Sequence, residues 1–205
     1  MQRTFLTMLA LVWLMGNAWA AQFHSFEVSQ NNGRYQLSAD IYLAAPLAQV
    51  YQVLTDYNHL TRLSGAIRQS RILKQIDAHT YLVFVESRAC VLFFCHNIKE
   101  TQRVMELTPR EVVSEVIPGG SNVKMSSSSW HLEPEGDGTR MHWEVTFVPD
   151  FWIPPLIGPF FMKGEMLAQG KYMAEGVEKL ARERAHLPPL AVADKHAPSN
   201  QTQAP

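Results

Sequence analysis

The stretch Ala44-Ala45-Pro46-Leu47-Ala48-Gln49-Val50-Tyr51-Gln52-Val53-Leu54-Thr55-Asp56-Tyr57 leads from a strand into a short helix and out through a turn. Pro46 suits the first turn of a helix, where its missing N–H costs nothing, and Val50, Val53 and Leu54 then recur at helical spacing. Upstream, Leu37, Ala39, Ile41 and Leu43 alternate with Gln36, Ser38, Asp40 and Tyr42, the pattern of a strand with one buried face. A strand therefore feeds directly into a helix. Phe23 to Gln30 predicts an earlier strand that turns at Asn31-Asn32-Gly33, because Asn-Gly supplies the positive φ of a tight hairpin.

Downstream, Asp56 to Leu63 reads as a turn and a second short helix. Strand patterns follow at Ile67 to Ile76, Thr80 to Ala89, Cys95 to Leu107, Glu111 to Ile117, Val123 to Leu132 and Thr139 to Val148. The punctuating segments Asp77-Ala78, Thr108-Pro109, Pro118-Gly119-Gly120 and Gly136-Asp137-Gly138 break strands by positive φ or by a lost donor. Beyond Pro154-Pro155 the period changes: Ile157, Phe160, Phe161, Gly164, Leu167, Met173, Ala174, Val177, Leu180 and Ala181 recur at three and four up to Arg184, which predicts a long amphipathic helix. The sum is an α+β domain built on an antiparallel meander.

This order resembles the START-like (SRPBCC) superfamily of polyketide cyclases, coenzyme Q-binding proteins and pollen-allergen-type carriers. Ala45 to Tyr57 matches its A-P-x-x-x-V-x-x-V-L-x-D-Y pattern, and Pro149 to Pro155 is similar to the strand-to-helix junction of bacterial members of the coenzyme Q-binding branch. The chain departs from that pattern at Thr61 and Gly65, where many relatives carry prolines. The resemblance covers residues 34–184. It implies the helix-grip fold, a curved antiparallel sheet wrapped around a long C-terminal helix with two short helices after the first core strand and a cavity between sheet and helix.

The ends read differently. Arg3, the apolar run Phe5 to Met15, and Ala18-Trp19-Ala20 before Ala21 make residues 1–20 a secretory signal peptide. A membrane anchor is the alternative, but the run is short for a hydrocarbon layer of roughly 30 Å, and Ala-x-Ala favours removal. No cysteine follows the cleavage site directly, so the chain is expected in the periplasm without a lipid anchor. Residues 187–205, poor in large apolar side chains, read as a disordered tail. Residues 21–186 remain, enough for one domain with a sizeable core.

The formal net charge is −1, with Lys and Arg scattered, so nucleic acid is not an expected partner. The histidines lack carboxylates or thiols at metal-ligand spacing, and there is no phosphate loop, nucleophile elbow or dinucleotide fingerprint. No metal or cofactor is expected, and the oligomeric state is left open.

Pairing Pro134 with Thr139 across Gly136-Asp137-Gly138 places Trp130, Leu132, Met141, Trp143, Val145 and Phe147 on one face, with Ser126 and Ser128 on the same side. Given the resemblance, that apolar face is the concave one. Ser126, Ser128, Trp130, Trp143, Val145 and Phe147, with Phe161 and Leu167 from the helix, are the candidate binding residues for a hydrophobic small molecule: a lipid, a quinone or a polyketide-like compound. A solid core is the alternative. His131 and His142 meet across the strands on the other face beside Glu144, where a solvated polar patch explains them. Glu86 and Arg88 are the remaining candidates for acid–base work in a cyclase- or aromatase-type enzyme. Cross-strand pairing with Lys99 and Asn97 explains them equally.

Cys90 and Cys95 are the only cysteines, and in an oxidising compartment they are expected to pair. On one continuous strand residues five apart point to opposite faces, whereas a hairpin through Val91-Leu92-Phe93-Phe94 sets them opposite each other. A redox-active pair is the alternative, but it needs closer spacing and a helix N-terminus. That apolar turn, Pro118-Gly119-Gly120, the loop at Leu63-Ser64-Gly65 and the junction near Phe151 share one end of a meander. Phe93, Phe94, Phe151, Trp152 and Ile153 are thus expected to rim the cavity mouth and to touch a membrane leaflet or partner transiently.

Overall fold

In a computed structural model of the chain, the described residues are 21–91, 94–117, 119–154 and 156–188. The expected leader lies outside them, as does the expected tail apart from residues 187 and 188. The elements are β1 (Gln22–Asn31), β2 (Arg34–Leu43), α1 (Leu47–Leu54), a single 3-10 turn at Leu60–Arg62, β3 (Ile67–Gln75), β4 (Thr80–Val91), β5 (Phe94–Thr108), β6 (Glu111–Val116), β7 (Val123–Glu135), β8 (Gly138–Pro149) and α2 (Gly158–Arg184). The eight strands form one antiparallel sheet in the order β1-β2-β8-β7-β6-β5-β4-β3. This is the expected α+β helix-grip fold.

Local chemistry explains the hairpins. Asn32 and Gly33 adopt φ values of 49° and 79°, so the β1–β2 turn is closed by two residues that tolerate left-handed backbone. At the other sharp corner Thr139 Oγ1 donates to the Ala45 carbonyl at 2.8 Å, fixing the entry to α1 against β8. The second expected short helix is reduced to one 3-10 turn, whose first amide, Leu60 N–H, is satisfied by Ser70 Oγ at 3.0 Å rather than by further helical bonds.

One core runs through the molecule, from Leu37, Ala39, Ile41 and Leu43 on β2, through Val50, Val53 and Leu54 on α1, to Ala174, Val177 and Ala181 on α2. α2 rests on α1, on β1 and β2 near one edge of the sheet, and on β4 near the other. A helix bridging both margins of a curled sheet stands away from its middle strands. That separation creates the interior space.

The face that α2 turns inward differs from the expected one in its first half. Met162 and Gly170 are buried there, whereas Ile157, Phe160 and Phe161 are exposed. Phe160, Phe161, Met162, Met166 and Leu167 point in several directions around the helix, so periodicity could not choose between its faces. Contact of Met162 with Tyr35, flanked by Phe151, Ile153 and Met166, settles the choice.

Candidate functional site

A cavity of about 290 Å³ lies between the middle strands and α2. Alternation along the strands supplies its wall: Val83 and Val85 on β4, Ile98 and Val104 on β5, Trp130 on β7, and Trp143, Val145 and Phe147 on β8. Met162, Met166 and Met173 of α2 form the opposite side. Unbranched thioether side chains adapt to ligands of varied shape.

Polar groups are few and placed. Trp143, 7% exposed, donates its indole N–H to Ser128 Oγ at 3.1 Å, which leaves the Ser128 proton free to donate. Ser114 stands beside Ser128 in register, and Ser126 lies one inward position further along β7. Tyr57 presents only its ring, because its hydroxyl donates to Glu106 Oε1 at 2.9 Å, while Tyr51 donates to Glu106 Oε2 at 2.9 Å. Burial, with the Glu106 carboxylate beside it, pushes the Tyr57 phenol far above its ordinary value. At the helix side, Ser64 Oγ donates to Gln169 Oε1 and Gln169 Nε2 donates to Glu165 Oε1, both at 3.1 Å, tying the loop before β3 to α2.

The most unusual group is Glu100, at the middle of β5 among the lining residues and only 9% exposed. Gln102 Nε2 donates to its Oε2 at 3.2 Å, but Oε1 has no hydrogen-bond partner among the described residues. Burial raises the Glu100 carboxyl above its ordinary value, opposed in smaller part by Ser126 and Gln102.

Of the residues singled out from sequence, Ser126, Ser128, Trp130, Trp143, Val145 and Phe147 all line the cavity. Phe161 and Leu167 do not. Phe161 is exposed and meets Phe160 edge to face, and Leu167 packs against the main core instead. Both sit off the inward stripe that Met162, Met166 and Met173 define. His131 and His142 pair across β7 and β8 as expected, each beside a carboxylate, Glu133 at 3.4 Å and Asp40 at 3.8 Å. No group of side chains suited to a metal occurs among the described residues. Glu86 and Arg88 stand opposite Lys99 and Asn97. Arg88 is exposed and borders the cavity, while the carboxyl inside it belongs to Glu100. The same register that set Glu86 against Lys99 put Glu100 on the inner face with Ile98 and Gln102, the signal that would have found it.

Cys90 and Cys95 are joined by a disulfide. Val91 pairs with Phe94, so the hairpin loop holds two residues rather than four. Leu92 and Phe93 lie outside the described residues, and Phe94 is described only as the start of β5. Phe151 stacks on His96 with centroids 4.2 Å apart, and Ile153 is half-buried against Tyr35 and Met162. Among Phe151, Trp152 and Ile153, the rim residues whose side chains are described, only Trp152 is widely exposed, at 67%. Leu156 and Phe160, at 97% and 77%, extend that apolar surface along the start of α2.

Residues 34–184 match the family described as polyketide cyclase / dehydrase and lipid transport. The chain belongs to that family. Among solved structures, this family member is similar to the Zhui aromatase/cyclase from Streptomyces sp. R1128, with a TM-score of 0.62 at 16% identity over 74% of this chain and 96% of that one. A START superfamily protein from Mycobacterium smegmatis gives 0.59 at 12% identity, covering 73% and 98%. A STAR-related lipid transfer protein from Xanthomonas axonopodis gives 0.55 at 16%, covering 78% and 98%. At these identities the likeness is one of fold. No match was found among curated proteins.

Proposed function

We propose that this cyclase and lipid-transport family member is a periplasmic carrier that holds a hydrophobic small molecule, a lipid, quinone or polyketide-like compound, between its sheet and α2. The observation that carries this reading is the cavity of about 290 Å³, walled by Trp130, Trp143 and three methionines and supplied with few polar groups. Titration with the neutral fluorophore N-phenyl-1-naphthylamine tests it. Saturable energy transfer from the indoles, reduced on replacing Trp130 and Trp143 with leucine while Trp152 remains, is expected. Fluorescence that rises without saturation points to an interaction module that takes no ligand.

Release into or from a lipid leaflet is part of the proposal. Residues 151–164 carry one lysine and no carboxylate, and Trp152, Leu156, Ile157 and Phe160 are exposed beside Met162 of the cavity wall. Tryptophan emission is expected to shift to the blue on adding vesicles, and no shift with either anionic or neutral vesicles counts against membrane contact.

A second reading, a cyclase- or aromatase-type enzyme using the same cavity, draws on Glu100, because a buried neutral carboxyl can donate a proton. Recovery of a bound polyketide-like compound in cyclised form, rather than unchanged, would favour it.

A further inference from the structure

The geometry points to Glu100 as the anchor of the cavity: a neutral carboxylic acid that donates its proton to a carbonyl-type oxygen on an otherwise apolar guest. This rests on the carrier reading and names the class of guest. Three observations lead to it. Glu100 is the most deeply buried of the charged residue types in the lining, the others being exposed Arg88 on β4 and half-buried Glu165 on α2. Its Oε2 is held by Gln102, and the Ser126 hydroxyl also acts on the carboxyl, yet Oε1 has no partner in hydrogen-bond geometry among the described residues. No cation among the described residues stands within ion-pair distance of Glu100, so ionisation there would leave an uncompensated buried charge.

A buried polar atom without a partner is costly when empty and selective when filled, because a guest that satisfies it gains what a guest that cannot must forgo. A protonated carboxyl is a donor, so the complement is an acceptor. The favoured guest thus carries a ketone, quinone or similar neutral oxygen on an aromatic or aliphatic body. A carboxylate would find no cation beside Glu100, Arg88 standing exposed at the border of the cavity, and an ammonium would need the ionised form that burial disfavours.

Three naphthalene probes of matched size test this by calorimetry: 2-acetylnaphthalene, its hydrocarbon isostere 2-isopropylnaphthalene, and 2-(aminomethyl)naphthalene. The ketone is expected to bind about tenfold tighter than the hydrocarbon. Glu100→Gln keeps that preference, since a primary amide still donates. Glu100→Leu erases it while binding the hydrocarbon at least as well as the parent protein does, which also shows that the variant is folded. Equal binding of ketone and hydrocarbon to the parent protein, a ketone preference that survives in Glu100→Leu, or tightest binding of the amine would each overturn the assignment. Failure of every probe to bind the parent protein would overturn the carrier reading itself, and with it this one.

Discussion

Trp143 and Ser128 form the one indole-to-hydroxyl bond of the inner wall among the described residues, at 3.1 Å between adjacent strands. The bond holds the Trp143 ring against β7. Ser128→Ala would leave a buried N–H without its partner, and a loss of about 1–3 kcal/mol is expected by urea denaturation. Ser126→Ala leaves that indole bond intact and removes instead a hydroxyl that acts on the Glu100 carboxyl.

The pH dependence has a defined sign. Glu100, and in the uncleaved chain Glu178, have carboxyls raised by burial from an ordinary value of 4.5. Their contribution to stability is complete below that ordinary value and is lost as pH rises through the raised ones. Asp40 and Asp56 act oppositely. Arg140 beside Asp40, and His59 with Arg184 beside Asp56, lower these carboxyls below 3.8, so their contribution is present above that value and lost on acidification. Denaturant midpoints measured between about pH 5 and 8 should fall with rising pH, and Glu100→Gln should flatten that slope. An unchanged slope would place the raised value elsewhere.

Gly176 lets α2 approach the loop before β3. A Cβ there would stand 2.1 Å from the Leu63 carbonyl oxygen, against backbone rather than a movable side-chain end. Gly176→Ala should destabilise by about 1–3 kcal/mol despite its better helix propensity. Thermal denaturation checks it, and a rise in melting temperature would contradict this packing.

Secretion makes a separate prediction at the N-terminus. Buried Glu178 accepts from Ala44 N–H at 2.7 Å and from the main-chain nitrogen of Ala21. Cleavage after Ala20 would turn that nitrogen into an ammonium facing the carboxylate. Mass spectrometry of the exported protein should show a chain beginning at Ala21. Adding residues before Ala21 should cost about 1–3 kcal/mol of stability. The penalty should vanish in Glu178→Gln, as a double-mutant cycle would show. Equal stability of both forms would contradict the pairing.

The strand positions and faces are legible because period-two alternation leaves little freedom once a hairpin register is set, whereas the pairing of β2 with β8 is not a hairpin and shows only in the structure. Trp130 opposite Trp143 and Cys90 opposite Cys95 both followed from turn chemistry. α2 resisted the same treatment. Its first half offers apolar residues in several directions, and a long-range contact, Met162 on Tyr35, decides which ones turn inward. Phe161 and Leu167 were misplaced for that reason. Glu100 gives no signal of burial, because a charged residue on a strand reads as solvated. Only the cavity reveals that it is buried with an oxygen unmatched.

Native mass spectrometry of the protein exported with its own leader and recovered without organic solvent tests the carrier claim most directly. The account predicts a population heavier by one hydrophobic molecule, which solvent extraction removes and which carries a neutral oxygen acceptor. A bare polypeptide mass alone, unchanged after incubation with a total lipid extract of the host, would contradict it.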